Sequence, residues 1–197
     1  MSAKHSYTTA DYLPWDVAMN LVRRLYNDGK IRLSLLIGCG CFFGLRISDL
    51  RTISWAQILG ADEFVIVEHK TEKRRVIRVN MGYQKHIQDC YESLKIKNIN
   101  EPCFLNRFGN IMSIQMINRE LKIMKVKYRL PINNISTHTL RKTWARAVWE
   151  NENSAGRGEM ALLKLSECLN HSAPNITRRY IGLRQQEISE VYNCLQF

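Results

Sequence analysis

No stretch of this chain is apolar for long enough to cross a bilayer. The longest hydrophobic run, Leu33 to Leu45, is 13 residues between Arg32 and Arg46, well short of the roughly 18–20 a span requires. The N-terminal MSAKHSYTTADYLP has neither an apolar core nor a cleavage site, so no secretory signal is read and a cytoplasmic location is expected. Proline and glycine are sparse, 4 and 10 among 197 residues, and they gather into no linker. Repeats and low-complexity segments are also missing, so a single domain is expected. No Gly-x-x-x-x-Gly-Lys loop, Gly-x-Gly-x-x-Gly turn or Gly-x-Ser-x-Gly elbow occurs, which removes the common nucleotide-binding and serine-hydrolase signatures. Acidic residues are few, and the six Asp are scattered, so the clustered carboxylates of a two-metal nuclease are absent.

What the chain has instead is positive charge. Twenty-nine Lys plus Arg face 18 Asp plus Glu, for a formal net charge of +11. An excess of that size favours a polyanionic partner, with nucleic acid first. An anionic membrane surface comes second, but no basic amphipathic stretch supports it. Six cysteines, at 39, 41, 90, 103, 168 and 194, lack the dense spacing of a disulfide scaffold. Cys39 and Cys41, two apart on a helix, point to nearly opposite sides. Cys168 and His171 have no second pair to complete a tetrahedral site. Buried, reduced thiols and no metal are the expectation.

Periodicity predicts a mainly helical α+β domain with a small antiparallel sheet. Ala18, Leu21, Val22 and Leu25 mark a first helix stopped by Asp28-Gly29, and Leu33 to Phe43 suits a buried central helix. A short helix capped by Ser48 is expected next. Two β-branched runs, Glu63 to Glu68 and Arg74 to Asn80, predict a hairpin with Lys70 at its tip. Further helices are expected through Ile87 to Leu94, from Ser113 to about Lys127, and from Ser136 to about Glu150. A polar loop, Asn151 to Gly158, should lead to a helix striped by Leu162, Leu165 and Leu169. A short helix from Pro174 to Tyr180 and a last one through Ile188, Val191, Tyr192 and Leu195 complete the chain.

Several side chains suit phosphate chemistry. His138 and Arg141, three apart on one helix face, can address one anion near that helix's positive end. Arg46, tightly flanked by apolar residues, needs an anion if buried; Asp49 offers itself as a plain internal partner. Lys70 alone reads as a solvated turn lysine. Tyr180 follows Arg178 and Arg179, cations that lower a phenol's pKa from about 10 and attract phosphate, making it a candidate nucleophile as well as an ordinary surface residue.

Taken in order, GLRISDL at 44–50, HKT at 69–71 before a basic strand, HTLRKTWAR at 138–146, and LNHS at 169–172 with a tyrosine nine residues after His171 resemble the tyrosine recombinases. These include the phage integrase, Cre and Xer enzymes. The resemblance runs from about Tyr12 to the C-terminus, leaving 1–11 as a short N-terminal segment. It implies a catalytic set of Arg46, Lys70, His138, Arg141, His171 and Tyr180, with Asp49 as the supporting acidic residue. Lys70 would be the general acid and Tyr180 the nucleophile, giving a 3′-phosphotyrosyl intermediate without metal, ATP or other cofactor. Lys73, Lys142, Arg178 and Arg179 would meet DNA backbone phosphates. Lys142 stands where histidine is frequent in the family, and Asn170 where glycine is usual.

The resemblance further implies double-stranded DNA as partner and a C-terminal helix docking on a neighbour within a tetramer on DNA. Members usually carry a helical core-binding domain ahead of the catalytic one, which this sequence does not match, so weak and salt-sensitive DNA binding is expected. Three rivals stay open: type IB topoisomerase-like relaxation, a metal-free ribonuclease using His138, His171 and Lys70, and a catalytically silent DNA-binding module.

Overall fold

The computed structural model describes residues 10–184 together with Ile188, Val191 and Tyr192. The chain divides into two compact units, Met1–Trp144 and Ala145–Phe197.

The first unit is built around a helix with no polar face. Helix α1 (Trp15–Asn27) packs its buried residues Ala18, Leu21, Val22 and Leu25 along α2 (Ile31–Phe43). Ten of the 13 residues of α2 are buried, as its sequence, apolar apart from Arg32 and Ser34, requires. Gly40 of α2 admits Leu140; a Cβ there would lie 2.6 Å from the Leu140 Cδ1. Two single-turn helices follow, α3 (Ile47–Leu50) and α4 (Trp55–Ile58). Ser48 does not cap a helix, contrary to expectation. Arg46 is the N-cap of α3, and the Ser48 hydroxyl turns to Asp49. The serine that caps is Ser54, through a capping box with Gln57.

Strands β1 (Glu63–Val67) and β2 (Arg74–Arg78) form the expected antiparallel hairpin, with Phe64 opposite Ile77 and Ile66 opposite Arg75. Phe64, Ile66 and Ile77 are buried, while Val65, Val67 and Val76 face outward. Helix α5 (Met81–Ser93) buries Tyr83, Ile87 and Cys90. Helix α6 (Ile114–Lys127) starts at Ser113, whose hydroxyl accepts the Met116 N–H at 3.1 Å. The segment at the chain's start is tied in too. Asp11 accepts the N–H groups of Asn133 and Asn134, and the Leu13 N–H reaches the Thr143 hydroxyl at 2.8 Å.

Helix α7 (Thr137–Ser154) starts in the first unit and ends in the second. It continues past Glu150 through residues expected to be loop, because Asn151 to Ser154 are polar but compatible with an exposed helix end. In the second unit α8 (Gly158–Leu169) buries Leu162, Leu165 and Leu169, and α9 spans Pro174–Tyr180 with proline in its first turn. Cys168 is exposed on α8, whereas Cys39, Cys41, Cys90 and Cys103 are buried, so the expectation of buried thiols fails at that one described position. On α8 it lies beside, not within, the leucine stripe. The C-terminal helix expected through Leu195 falls largely outside the described residues, and Cys194 falls wholly outside them. The mainly helical α+β class with one small antiparallel sheet is borne out.

Candidate active site

In the first unit the site begins where α2 stops. Gly44 takes a left-handed conformation, φ 58°, and turns the chain out of the helix. Leu45 is buried, and Arg46 then stands extended at the start of α3. Its guanidinium does not pair with Asp49, the partner its sequence neighbourhood offered. Arg46 Nη1 instead donates to Glu68 Oε2 at 2.6 Å. Asp49 is engaged elsewhere: its Oδ1 accepts the His69 backbone N–H at 3.0 Å and the Ser48 hydroxyl at 3.2 Å. Both acidic groups therefore tie the α3 segment to the hairpin turn.

That turn carries Lys70, exposed at the tip as expected. The Glu72 N–H donates to the Glu68 carbonyl at 2.8 Å, and the Glu68 N–H to the Lys73 carbonyl at 3.0 Å. Lys73, three residues on, is also exposed. The buried Glu68 carboxylate accepts three donors: Arg46, the Thr71 hydroxyl at 2.8 Å, and Arg75 Nη1 at 3.3 Å. Burial pushes its carboxyl up, but the Thr71 hydroxyl and the Arg46 and Arg75 guanidiniums outweigh burial and hold it below the usual carboxylate value. Arg75 also lies over the Trp144 ring, 6.0 Å from its centroid.

Helix α7 supplies the opposite wall. Ser136 caps it, accepting the His138 N–H at 3.2 Å, while the Ser136 N–H returns to the Thr139 hydroxyl at 3.1 Å. Leu140 sits against Gly40, which fixes the helix's rotation. Arg141 is then buried, with Nη1 donating to the Gly44 carbonyl at 2.8 Å, two residues before Arg46. His138 lies at the surface of the same turn. Desolvation by its surroundings, then the positive charges of Lys142, Arg141 and Arg46, lower its imidazole pKa below the ordinary 6.5. Three cations and the His138 imidazole thus converge. Lys142 is half-buried and donates to the Ala10 carbonyl at 2.7 Å; burial lowers its pKa.

The second unit holds the remaining two expected residues side by side. His171 and Tyr180 meet edge to face, with ring centroids 5.2 Å apart. His171 Nδ1 lies 2.9 Å from the Thr177 hydroxyl, which orients the imidazole from α9. Asn170, just before it, is left-handed at φ 56°. Asparagine tolerates that conformation, so it serves where glycine would be usual. Arg146 is buried, pairs with Glu150 at 2.6 Å and donates to the Ile181 carbonyl at 3.4 Å, next to Tyr180. Arg179 is exposed, and Arg178 pairs with Glu159 at 2.6 Å.

Glu68, Arg75 and Arg146 lie outside the set expected from the sequence. The first two had a usable signal. Strand alternation puts Glu68 in line with Phe64 and Ile66, and Arg75 in line with Ile77, all on the inward face. A carboxylate and a guanidinium on a buried face must find each other or another counter-charge.

Against known proteins, the phage integrase family matches residues 15–187. The chain is 29% identical over 168 residues to "Probable integrase/recombinase YoeC" of Bacillus subtilis, covering 85% of this chain and 86% of that one. It is 27% identical over 163 residues to tyrosine recombinase XerC of Agrobacterium fabrum, covering 82% of this chain. That match takes in 48% of the XerC relative, so the chain spans about half its length. A crystal structure of XerA recombinase superposes on the whole chain with a TM-score of 0.70 at 17% identity, covering 68% of that structure, which speaks for the fold. With the family match covering most of its length, the chain belongs to the phage integrase family, whose relatives include the tyrosine recombinases.

Proposed function

We propose that this chain is a site-specific DNA recombinase that cleaves and rejoins double-stranded DNA through a 3′-phosphotyrosyl ester. The observation that carries the reading is the convergence in the first unit. Arg141 is hydrogen-bonded to the turn that delivers Arg46, and both cations act on His138. Attack on a phosphodiester gathers negative charge on the non-bridging oxygens. Two guanidiniums can stabilise that charge by bidentate, charge-assisted hydrogen bonds.

In this reading Tyr180 Oη forms a bond to phosphorus as the bond from phosphorus to the 5′-oxygen breaks. The phenolic proton goes to His138, whose desolvation and cationic neighbours disfavour the charged ring before attack. Lys70 gives a proton to the departing 5′-oxygen. His171 adds a further hydrogen bond to the phosphate. The ester conserves the bond energy, so religation to another strand needs neither ATP nor metal. Lys73, Lys142, Arg178 and Arg179 bind flanking backbone phosphates. Assembly on DNA through the C-terminal helix, and action in the cytoplasm, belong to the same proposal.

The test is covalent capture. The full chain is mixed with a pool of nicked duplexes of random sequence, and protein–DNA adducts are sought on a denaturing gel. An adduct that forms in the presence of chelator and vanishes in Tyr180→Phe supports the proposal. Cleavage unchanged in Tyr180→Phe overturns it in favour of ribonuclease-type chemistry, and binding with no adduct from any duplex points to a silent module. Recovered duplexes placed in a supercoiled plasmid separate relaxation alone, the topoisomerase outcome, from strand exchange.

A further inference from the structure

The cluster around Glu68 has a geometry that phosphate binding alone does not require. Its carboxylate is 5% exposed, whereas the Arg46 side chain resting on it keeps 22%. The pair is thus asymmetric, with a buried carboxylate beneath an arginine side chain that stays partly exposed. Glu68 also belongs to the turn that presents Lys70. Its carbonyl accepts the N–H groups of Thr71 and Glu72, its carboxylate accepts the Thr71 hydroxyl, and its own N–H closes on Lys73. The next residue, His69, gives its N–H to Asp49. Residues 68 and 69 are both bound to the α3 segment, and the third residue of the turn is Lys70.

We propose that Glu68 is a positioning residue that locks the Lys70 turn onto Arg46, so that the phosphate-binding cation and the proton donor keep one fixed separation. Arg75 holds the other carboxylate oxygen and completes the lock from β2. The inference rests on the cleavage reaction proposed above. A lysine on a solvated hairpin tip would otherwise sample many positions, and misplacing a reacting group by about 1 Å costs on the order of 100-fold in rate. Thr71 and Arg75 are then parts of one device, with Glu68 at its centre.

The test uses the leaving group. A duplex recovered as a substrate is synthesised with either oxygen or sulfur at the bridging 5′ position. When the phosphorus–sulfur bond breaks, the thiolate departs without needing a proton, so Lys70 becomes dispensable. Single-turnover adduct formation is measured for wild type, Glu68→Ala and Glu68→Asp. The aspartate keeps the charge but withdraws the carboxylate by one methylene, and it serves if the alanine variant does not fold. Both variants should slow on the oxygen substrate by on the order of 100-fold, and should return close to the wild-type rate on the sulfur substrate, as Lys70→Ala should. Arg46→Lys should stay slow on both.

Equal slowing of the Glu68 variants on oxygen and sulfur would overturn the proposal and leave Glu68 a general structural role. Faster cleavage with tighter DNA binding would overturn it differently, making Glu68 a competitor of the phosphate. A wild-type protein that forms no adduct with either substrate removes the cleavage reading itself, an outcome distinct from both.

Discussion

Arg141 Nη1 is bonded to the Gly44 carbonyl oxygen at 2.8 Å, joining positions 97 residues apart. Gly44 ends α2, and Arg46 starts α3 two residues later. One hydrogen bond therefore ties both arginines to a single turn. The turn exists because Gly44 is left-handed and because nothing larger than hydrogen fits there. A Cβ would lie 2.3 Å from the Trp144 ring.

Gly44→Ala should destabilise the protein and disturb cleavage together. A left-handed alanine costs about 1–2 kcal/mol, and overpacking against an indole adds roughly 1–3 kcal/mol. Gly29 is the control: it is also left-handed, φ 71°, but a Cβ there meets nothing within 4 Å. Thermal unfolding should show a drop of several degrees for Gly44→Ala and a clearly smaller one for Gly29→Ala. Equal drops would mean that Trp144 yields easily.

Arg141→Lys separates anchoring from catalysis. The ammonium keeps the charge and a hydrogen-bond donor on the Gly44 side, but it lacks the planar fork that grips a phosphate. Adduct formation should fall by roughly 10²–10³, the usual loss for one preorganised donor to a developing charge. The melting temperature should move little by comparison. A variant that cleaves at the wild-type rate would assign Arg141 to structure alone.

How far the sequence foretold this site follows from the range of the interactions involved. The elements carrying Arg46, Lys70, His138 and Arg141 were legible because each depends on local signals: an all-apolar helix, two β-branched runs, a serine cap. The partner of Arg46 was not. Asp49 is three residues away on a helix turn and so is the partner local spacing offers; Glu68 is 22 residues away and arrives only when the hairpin folds back. Its inward register, shared with Phe64 and Ile66, is visible in the strand alternation, but the identity of its counter-charge is not. Arg146 closes the HTLRKTWAR motif, yet its bond to the Ile181 carbonyl spans 35 residues and leaves no periodic trace. Ser48 was the expected cap, but the cap forms at Ser54, where the Gln57 side chain completes a box.

His138 should titrate below 6.5 in the free protein. Desolvation disfavours the charged ring, and the cations of Lys142, Arg141 and Arg46 add to that. As pH falls, the unfolded chain takes up its proton near 6.5 before the folded chain does. The stability contributed by this group is therefore present above 6.5 and declines as pH drops below it. Histidine ring resonances followed by NMR, assigned with His138→Gln, should give a depressed apparent pKa. Adding a DNA duplex should raise it, because a phosphate offsets the neighbouring cations. A value at or above 6.5 without DNA would contradict the clustering of those charges around the ring.

Salt dependence tests which arginines of α9 meet DNA. Arg179 is exposed, while Arg178 is paired with Glu159 at 2.6 Å. A cation already neutralised by a carboxylate releases fewer counterions when it meets a phosphate than one facing solvent. Binding of a non-specific duplex, followed by fluorescence anisotropy between about 50 and 200 mM salt, gives a log–log slope that changes by about 0.9 per phosphate contact. Arg179→Ala should flatten the slope by about that amount. Glu159→Gln should act in the opposite sense, tightening binding at low salt and steepening the slope as Arg178 turns from the carboxylate to a phosphate. Slopes that do not change in either variant would place the DNA path away from α9. The basic dipeptide before Tyr180 would then serve the tyrosine's immediate surroundings rather than the backbone of the duplex.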